Sequence, residues 1–234
     1  MKVIDNSVPY RHEYKYIISS AQLMLLKSRI SSIMQLDKHT DEQGKYNIRS
    51  LYFDDYYNRC YYENENGTDP REKFRIRIYN KSTDVISLEC KRKEHDKTHK
   101  LSTNISFEQC KQLVNGNKVL IIDTQPALLN KMLIDIQSRM LHPVVIIEYD
   151  RIPYVYKNGN VRVTFDMNIS GSDALSDFLK GDLHKRPIMP AGMHLMEVKF
   201  DEFLPDYIYK SLNLNQLQRT TYSKFYLSRK FTMK

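Results

Sequence analysis

The chain has 234 residues, enough for one large domain or two small ones, and its 41% hydrophobic, 27% charged composition with only 7 Gly and 8 Pro excludes collagen-like and low-complexity classes. A net charge of +8 favours polyanionic partners, whether nucleic acid, an anionic membrane or phosphate compounds. The three cysteines, Cys60, Cys90 and Cys110, fit neither a disulfide framework nor a zinc knuckle and point to a reducing compartment.

No flexible linker stands out, so a single domain over residues 1–234 is expected. The N-terminal stretch has no apolar h-region and no run approaches the roughly 18 apolar residues of a membrane span. The expectation is a soluble, cytoplasmic chain whose membrane role, if it has one, comes through a membrane-protein partner.

In chain order, Tyr10 to Ile18 alternates Arg11, Glu13 and Lys15 with His12, Tyr14 and Tyr16, which predicts a strand with its charge on one face. Ser19 and Gln22 form a capping-box pattern, followed by Leu23, Leu26, Ile30, Ile33 and Met34 at helical spacing, predicting a helix to about Leu36. Tyr46 to Asp55 reads as the next strand, with Ser50, Tyr52 and Asp54 opposite Leu51 and Phe53. The Tyr-rich segment after it ends in turn-forming residues and reads as a short excursion.

Arg71 to Lys93 predicts a hairpin across Asn80–Asp84. Arg75, Arg77 and Tyr79 alternate with Phe74, Ile76 and Ile78; Ser87, Glu89, Lys91 and Lys93 alternate with Ile86, Leu88 and Cys90. The following Glu94–His99 segment reads as a solvated turn, since its two histidines lack the further ligands of a zinc motif. His99 to Ile105 is a fifth strand, placing Lys100, Ser102 and Asn104 opposite Leu101 and Ile105.

Helices are predicted over Ser106 to Asn115 and Gln125 to Leu141, the second ended by Pro143. Val144 to Arg151 is a strand. After the Asn158-Gly159 turn, the strand from Val161 to Ile169 sets Arg162, Thr164 and Asp166 against Val163 and Phe165. A short helix is expected near Ser172–Gly181, then a loop, then a strand from Leu195 to Phe200 with Glu197 and Lys199 on one face. Asp201–Leu214 and Gln216 to about Phe231 read as helices.

Eight strands thus carry a polar face, with ten cations against five anions on those faces. If that face meets solvent, its ion pairs are worth under about 1 kcal/mol each. If the sheet closes into a barrel, the apolar face lies outward under helices and the charges line a lumen of the right bore for one narrow ligand. Like charges there repel by about 4 kcal/mol per pair at an effective dielectric of 20, so the lumen requires an anion. Arg supplies forked donors suited to phosphate oxygens. The basic charge and 17 Tyr also permit a nucleic-acid binder with stacking aromatics on an open face.

The ordered set Arg11-x-Glu13-x-Lys15-Tyr16, Ser50 to Asp54, Arg75-x-Arg77, Glu89-x-Lys91, Tyr149-x-Arg151, Arg162, Glu197-x-Lys199 and Ser223-Lys224 resembles the VTC domain, the catalytic domain of the vacuolar transporter chaperone complex, within the triphosphate tunnel (CYTH-like) metalloenzymes. The resemblance implies an α+β fold: an eight-stranded antiparallel closed β-barrel with helices outside and a C-terminal helix near the tunnel mouth. It implies a polyphosphate polymerase that moves the γ-phosphate of ATP onto inorganic polyphosphate, with Mn²⁺ or Mg²⁺ as cofactor and no nucleic-acid partner. Carried onto this chain, Arg75, Arg77, Lys91 and Arg162 match catalytic cations. Lys15, Lys100, Tyr149, Arg151, Lys199, Ser223 and Lys224 match substrate contacts, and Glu197 matches the metal-binding acid. The wider superfamily reads Glu-x-Glu-x-Lys in its first strand; Arg11 replaces the first Glu, which favours the polymerase over a two-metal hydrolase. A triphosphate or polyphosphate hydrolase and a non-catalytic binding module remain the alternatives.

Overall fold

The computed structural model describes residues 11–95, 97–117, 120–122 and 124–233. Tyr10, at the start of the first expected strand, and Asp96, in the expected turn, lie outside the described residues. The strands are β1 (His12–Ser19), β2 (Gln35–Leu36), β3 (Tyr46–Asp54), β4 (Arg71–Tyr79), β5 (Ser82–Glu94), β6 (Lys97–Ile105), β7 (His142–Tyr156), β8 (Val161–Ser172), β9 (Arg186–Pro187) and β10 (Met193–Phe200). The helices are α1 (Ser20–Ser31), α2 (Arg59–Glu65), α3 (Phe107–Val114), α4 (Ala127–Arg139), α5 (Asp206–Ser211) and α6 (Lys224–Thr232).

The eight long strands form one antiparallel sheet in the order β1-β10-β8-β7-β3-β4-β5-β6, with β2 added to β7 and β9 to β8. Period-two alternation places most apolar strand residues on the convex face, while Ile48, Val145, Ile147 and Leu195 pack with Phe225 of α6 on the concave one. There α1 covers one half, its Leu23, Leu26 and Ile30 packing with Ile18, Val163, Phe165, Met196 and Val198. α3 and α4 cover the other half, over Ile76, Ile78, Leu88 and Phe53. Burying one such side chain is worth about 1.5–3 kcal/mol, so the helices fix which face of the sheet is dry.

The sheet curls into a half-barrel rather than a continuous closed one. Its two edges meet at a single bridge, where Arg11 and Thr98 exchange backbone hydrogen bonds of 3.1 and 3.0 Å. Farther along β1 the free edge is occupied by the chain after α5: Arg219 bridges Tyr16, and the Thr220 N–H donates to the Lys15 carbonyl at 2.9 Å. This pairing explains why residues 217–223 are not helical as expected; the backbone there completes the edge of β1.

Other departures have similar local causes. α1 keeps its capping box but stops at Ser31, where the chain turns to pair Gln35 and Leu36 with β7. The Tyr-rich excursion forms α2, because the Asp54 carboxylate accepts from the backbone N–H groups of Cys60 (2.8 Å) and Tyr61 (3.1 Å), groups a helix start leaves without partners. The helix expected near Ser172–Gly181 shrinks to a 3₁₀ turn at Leu175–Asp177. Arg49, wholly buried, holds Glu148 at 2.6 Å and donates to the carbonyls of Phe178, Lys180 and Gly181, which bind that side chain instead of helical N–H groups. α5 is confined to Asp206–Ser211 by Pro205 at its N-cap. Of the two histidines near the β5–β6 turn, His95 is exposed with φ 47° and His99 is buried. Among the described residues no three His, Cys, Asp or Glu side chains form a metal-holding group.

α6 packs onto the concave face. Phe225 meets the Tyr52 ring with centroids 5.5 Å apart, and buried Ser228 lies against Gly171 of β8. A Cβ on Gly171 would come within 2.0 Å of the Ser228 hydroxyl oxygen. Gly171→Ala is therefore expected to lower unfolding free energy by about 1–3 kcal/mol in urea titrations, with partial recovery in the Gly171→Ala, Ser228→Ala double variant. Wild-type stability of the single variant would contradict this seating of α6.

Candidate anion-binding site

Between the concave face and α6 lies a cavity of about 530 Å³. Its described lining holds eleven Lys and Arg side chains and two Glu, Glu13 and Glu197. Strand register sets their rows: on β4 and β5, Arg71 faces Lys93, Lys73 faces Lys91 and Arg75 faces Glu89; on β1 and β10, Glu13 faces Lys199 and Lys15 faces Glu197.

Four carboxylates, three of them buried and Glu13 half-buried, organise these cations. Glu89 accepts from Arg75 Nε at 2.6 Å and Lys100 Nζ at 3.0 Å, with Arg77 3.8 Å away. Glu13 binds Lys91 at 2.7 Å and Lys15 at 3.2 Å. Asp166 takes the Arg151 fork at 2.6 and 2.8 Å and Lys224 at 2.6 Å. Glu197 binds Lys199 at 2.8 Å and Lys224 at 2.9 Å, with Arg151 at 3.5 Å. Burial alone would raise these carboxyl pKa values; the surrounding cations outweigh it and hold Glu13, Glu89 and Glu197 well below the ordinary range, and Asp166 below it.

The cations are not all equally satisfied. Burial pushes Lys73 down to about 7 and Lys91 down to about 8, with neighbouring cations adding to the effect and Glu13 partly opposing it at Lys91. Burial also lowers Lys199, whereas at Lys224 the carboxylates of Asp166 and Glu197 overcome burial and raise the value. Tyr149 offers its ring face to Arg151 at 5.3 Å and Lys224 at 4.8 Å. Tyr52 OH accepts from Arg75 at 2.9 Å; burial raises its pKa, but Arg75 and Arg77 outweigh that and lower it.

Of the residues expected from sequence, Lys15, Arg75, Arg77, Lys91, Tyr149, Arg151, Glu197, Lys199, Ser223 and Lys224 line this cavity. Ser223 is the N-cap of α6, its hydroxyl oxygen accepting from the Tyr226 N–H at 3.3 Å, so a helix N-terminus with its positive dipole end also borders the cavity. Two expected residues lie outside the lining. Arg162 is held by Asp37 at 2.9 Å and the Tyr46 hydroxyl at 2.8 Å, and Lys100 touches the group only through Glu89. Lys73, Arg71 and Arg219 are lining cations that sequence reasoning did not select. Lys73 and Arg71 share the period-two phase of Arg75 and were legible on that ground; Arg219 sits in the segment read as helical and carried no such signal.

For a divalent cation the donor set is sparse. Glu197, with Glu13 diagonal to it across β1 and β10, supplies one or two carboxylates, which fits a Mg²⁺- or Mn²⁺-type ion that takes its remaining ligands from phosphate oxygens and water.

These shifts give pH-stability a definite shape. Below about pH 4 the stabilisation from the four depressed carboxylates is lost as pH falls through their native values. Lysines ordinarily titrate near 10.4, so above about pH 7 the unfolded chain binds more protons than the native one at Lys73 and Lys91, and stability rises with pH. Burial raises the Cys60 thiol and pushes Cys90 and Cys110 up to about 12, which reverses the trend once ordinary thiols ionise above about pH 8.5. Without ligand, the thermal midpoint is expected to rise from about pH 7 to about pH 8.5; a flat or falling midpoint in that interval would contradict the burial of these lysines.

Comparison with solved structures shows the same fold at low sequence identity. HpAC1 from Hippeastrum, a candidate adenylyl cyclase described as having a dominant triphosphatase activity, aligns with a TM-score of 0.59 at 12% identity, covering 95% of this chain and 95% of that one. A candidate adenylate cyclase from Bacillus halodurans aligns with a TM-score of 0.52 at 13% identity, covering 91% of this chain and 95% of that one. No curated protein sequence matches. The VTC domain family model matches residues 10–233, nearly the whole chain, and the protein therefore belongs to the VTC domain family.

Proposed function

We propose that this protein is a polyphosphate polymerase, transferring the γ-phosphate of ATP to the end of an inorganic polyphosphate chain held in the cationic cavity. The observation that carries the reading is the charge excess at the cavity, eleven lining cations against Glu13 and Glu197 in the lining and Glu89 and Asp166 behind it, an excess that a dense linear polyanion neutralises. The three cysteines do not serve as nucleophiles: their thiols are held protonated by burial, with Cys90 and Cys110 under the helices of the convex face. The attacking group is then the terminal phosphate oxygen of the chain. It bonds to the γ-phosphorus as the bond to the β–γ bridging oxygen breaks, and ADP leaves.

In this account Arg75, Arg77, Lys91 and Arg151 neutralise charge developing on the equatorial and bridging oxygens, and their carboxylate partners hold them in place before reaction. Lys15, Tyr149, Lys199, Ser223 and Lys224 position the phosphates. Glu197 would hold a divalent ion, which would supply Lewis-acid polarisation. Arg162 and Lys100 join the site by exchanging Asp37 and Glu89 for phosphate. Activity belongs in the cytoplasm, with a membrane protein as the partner that receives product; among the described residues no helix is long and apolar enough to cross a membrane.

A triphosphate hydrolase is the second reading. It is favoured by the triphosphatase activity of HpAC1 and by the open seam, which admits water. Against it, Arg11 stands at the first acidic position of the superfamily pattern and turns to Asp201 at 2.8 Å, so the first strand offers no second acid for a second metal.

The test incubates the protein with ATP, Mn²⁺ or Mg²⁺ and a short polyphosphate primer, resolving products on a gel. Chain growth that depends on primer is expected; rapid orthophosphate release without growth would assign the hydrolase. Arg75→Ala is expected to lower kcat/KM by about 10²–10³-fold and to shrink the thermal stabilisation given by triphosphate. An unchanged response to triphosphate would remove Arg75 from the site.

A further inference from the structure

Arg75, Lys91, Arg151, Lys199 and Lys224 each touch a carboxylate. Lys73 does not. Among the described residues no carboxylate lies within 4 Å of its ammonium; its contacts are Asn64 Oδ1 at 2.9 Å and the Phe225 ring at 4.5 Å. Asn64 comes from the end of α2 and Phe225 from the first turn of α6, so two separate elements hold the side chain where it lines the cavity. Directly opposite in the β4–β5 register stands Lys91, and like charges facing each other across strands repel. A half-buried ammonium opposite another lysine, oriented by an amide and a ring with no carboxylate within 4 Å among the described residues, leaves room for an anion that the protein does not supply.

Position adds to the argument. Arg77, Arg75 and Lys73 follow one another on one face of β4, but Arg77 and Arg75 converge on Glu89 whereas Lys73 turns to Asn64 and Phe225. The Lys73 ammonium therefore marks a position of its own along the groove, next to the one that Arg75 and Arg77 share.

We propose that Lys73 is a phosphate ligand of this cavity, binding a unit of linear polyphosphate beyond the triphosphate held at Arg75, Arg77 and Lys91. The inference rests on the polyphosphate reading above. It adds a specificity determinant: Lys73 discriminates by chain length.

The test is titration calorimetry with triphosphate and with a medium-chain polyphosphate on wild type, Lys73→Met, Lys73→Arg and Arg75→Ala, alongside the ligand-free thermal midpoint of each. Losing one charge-assisted contact, Lys73→Met is expected to weaken medium-chain binding about tenfold or more and triphosphate binding by less than about threefold. Its ligand-free midpoint stays equal or rises, because a half-buried charge facing Lys91 is removed. Lys73→Arg keeps medium-chain affinity within about threefold of wild type. Equal medium-chain affinity in wild type and Lys73→Met would overturn the proposal. So would a lowered ligand-free midpoint with equal losses for both ligands, the mark of a structural lysine. Arg75→Ala reports on the parent reading separately, since it weakens both ligands; if wild type bound neither, that reading would fall and this one with it.

Discussion

Four carboxylates on the concave side of the sheet, the buried Glu89, Asp166 and Glu197 and the half-buried Glu13, are the constraint on which the rest depends. Buried cations spaced at strand intervals repel one another strongly in a medium less polarisable than water. Each acid sits between two or three of them and makes the arrangement tolerable without neutralising it. A one-residue slip of any strand would turn its acid outward under the helices and carry apolar side chains into the cavity. The charge pattern thus enforces register as much as the apolar core does.

That pattern is also why much of the site was legible in the amino-acid sequence. Arg75 and Arg77 against Glu89 and Lys91, or Glu197 beside Lys199, announce a shared face through period-two spacing alone. The eight strands followed from the same signal, and the capping boxes at Ser19 and Ser106 marked two helix starts. What was not legible depends on contacts remote in sequence. The stretch 173–183 has helical composition, but Arg49 takes its carbonyls. α2 exists because Asp54 reaches past the strand end to two N–H groups. Residues 217–223 are extended because β1 has an unpaired edge, and no local property of Arg219 or Thr220 reveals that.

The same edge decides how complete the barrel is. With the C-terminal segment paired to β1 and only Arg11 and Thr98 joining β1 to β6, the sheet is a trough roofed at one end by α6. α6 contributes more than cover. Lys224 locks Asp166 to Glu197, Phe225 supports Lys73 and Tyr52, and the helix N-terminus borders the cavity. α6 is therefore part of the cavity wall, and the convex helices α1, α3 and α4 hold the shape of the sheet.

The central claim is that this trough is a binding groove for a linear phosphate chain, and it is tested most directly by a crystal structure with a non-hydrolysable imido analogue of triphosphate and Mg²⁺. The account predicts phosphate density between β4, β5, β7 and β10, with oxygens on Arg75, Arg77, Lys91 and Arg151 and the ion beside Glu197. Density on the convex surface, or a concave face that keeps its internal ion pairs and stays free of ligand at saturating analogue, would contradict it.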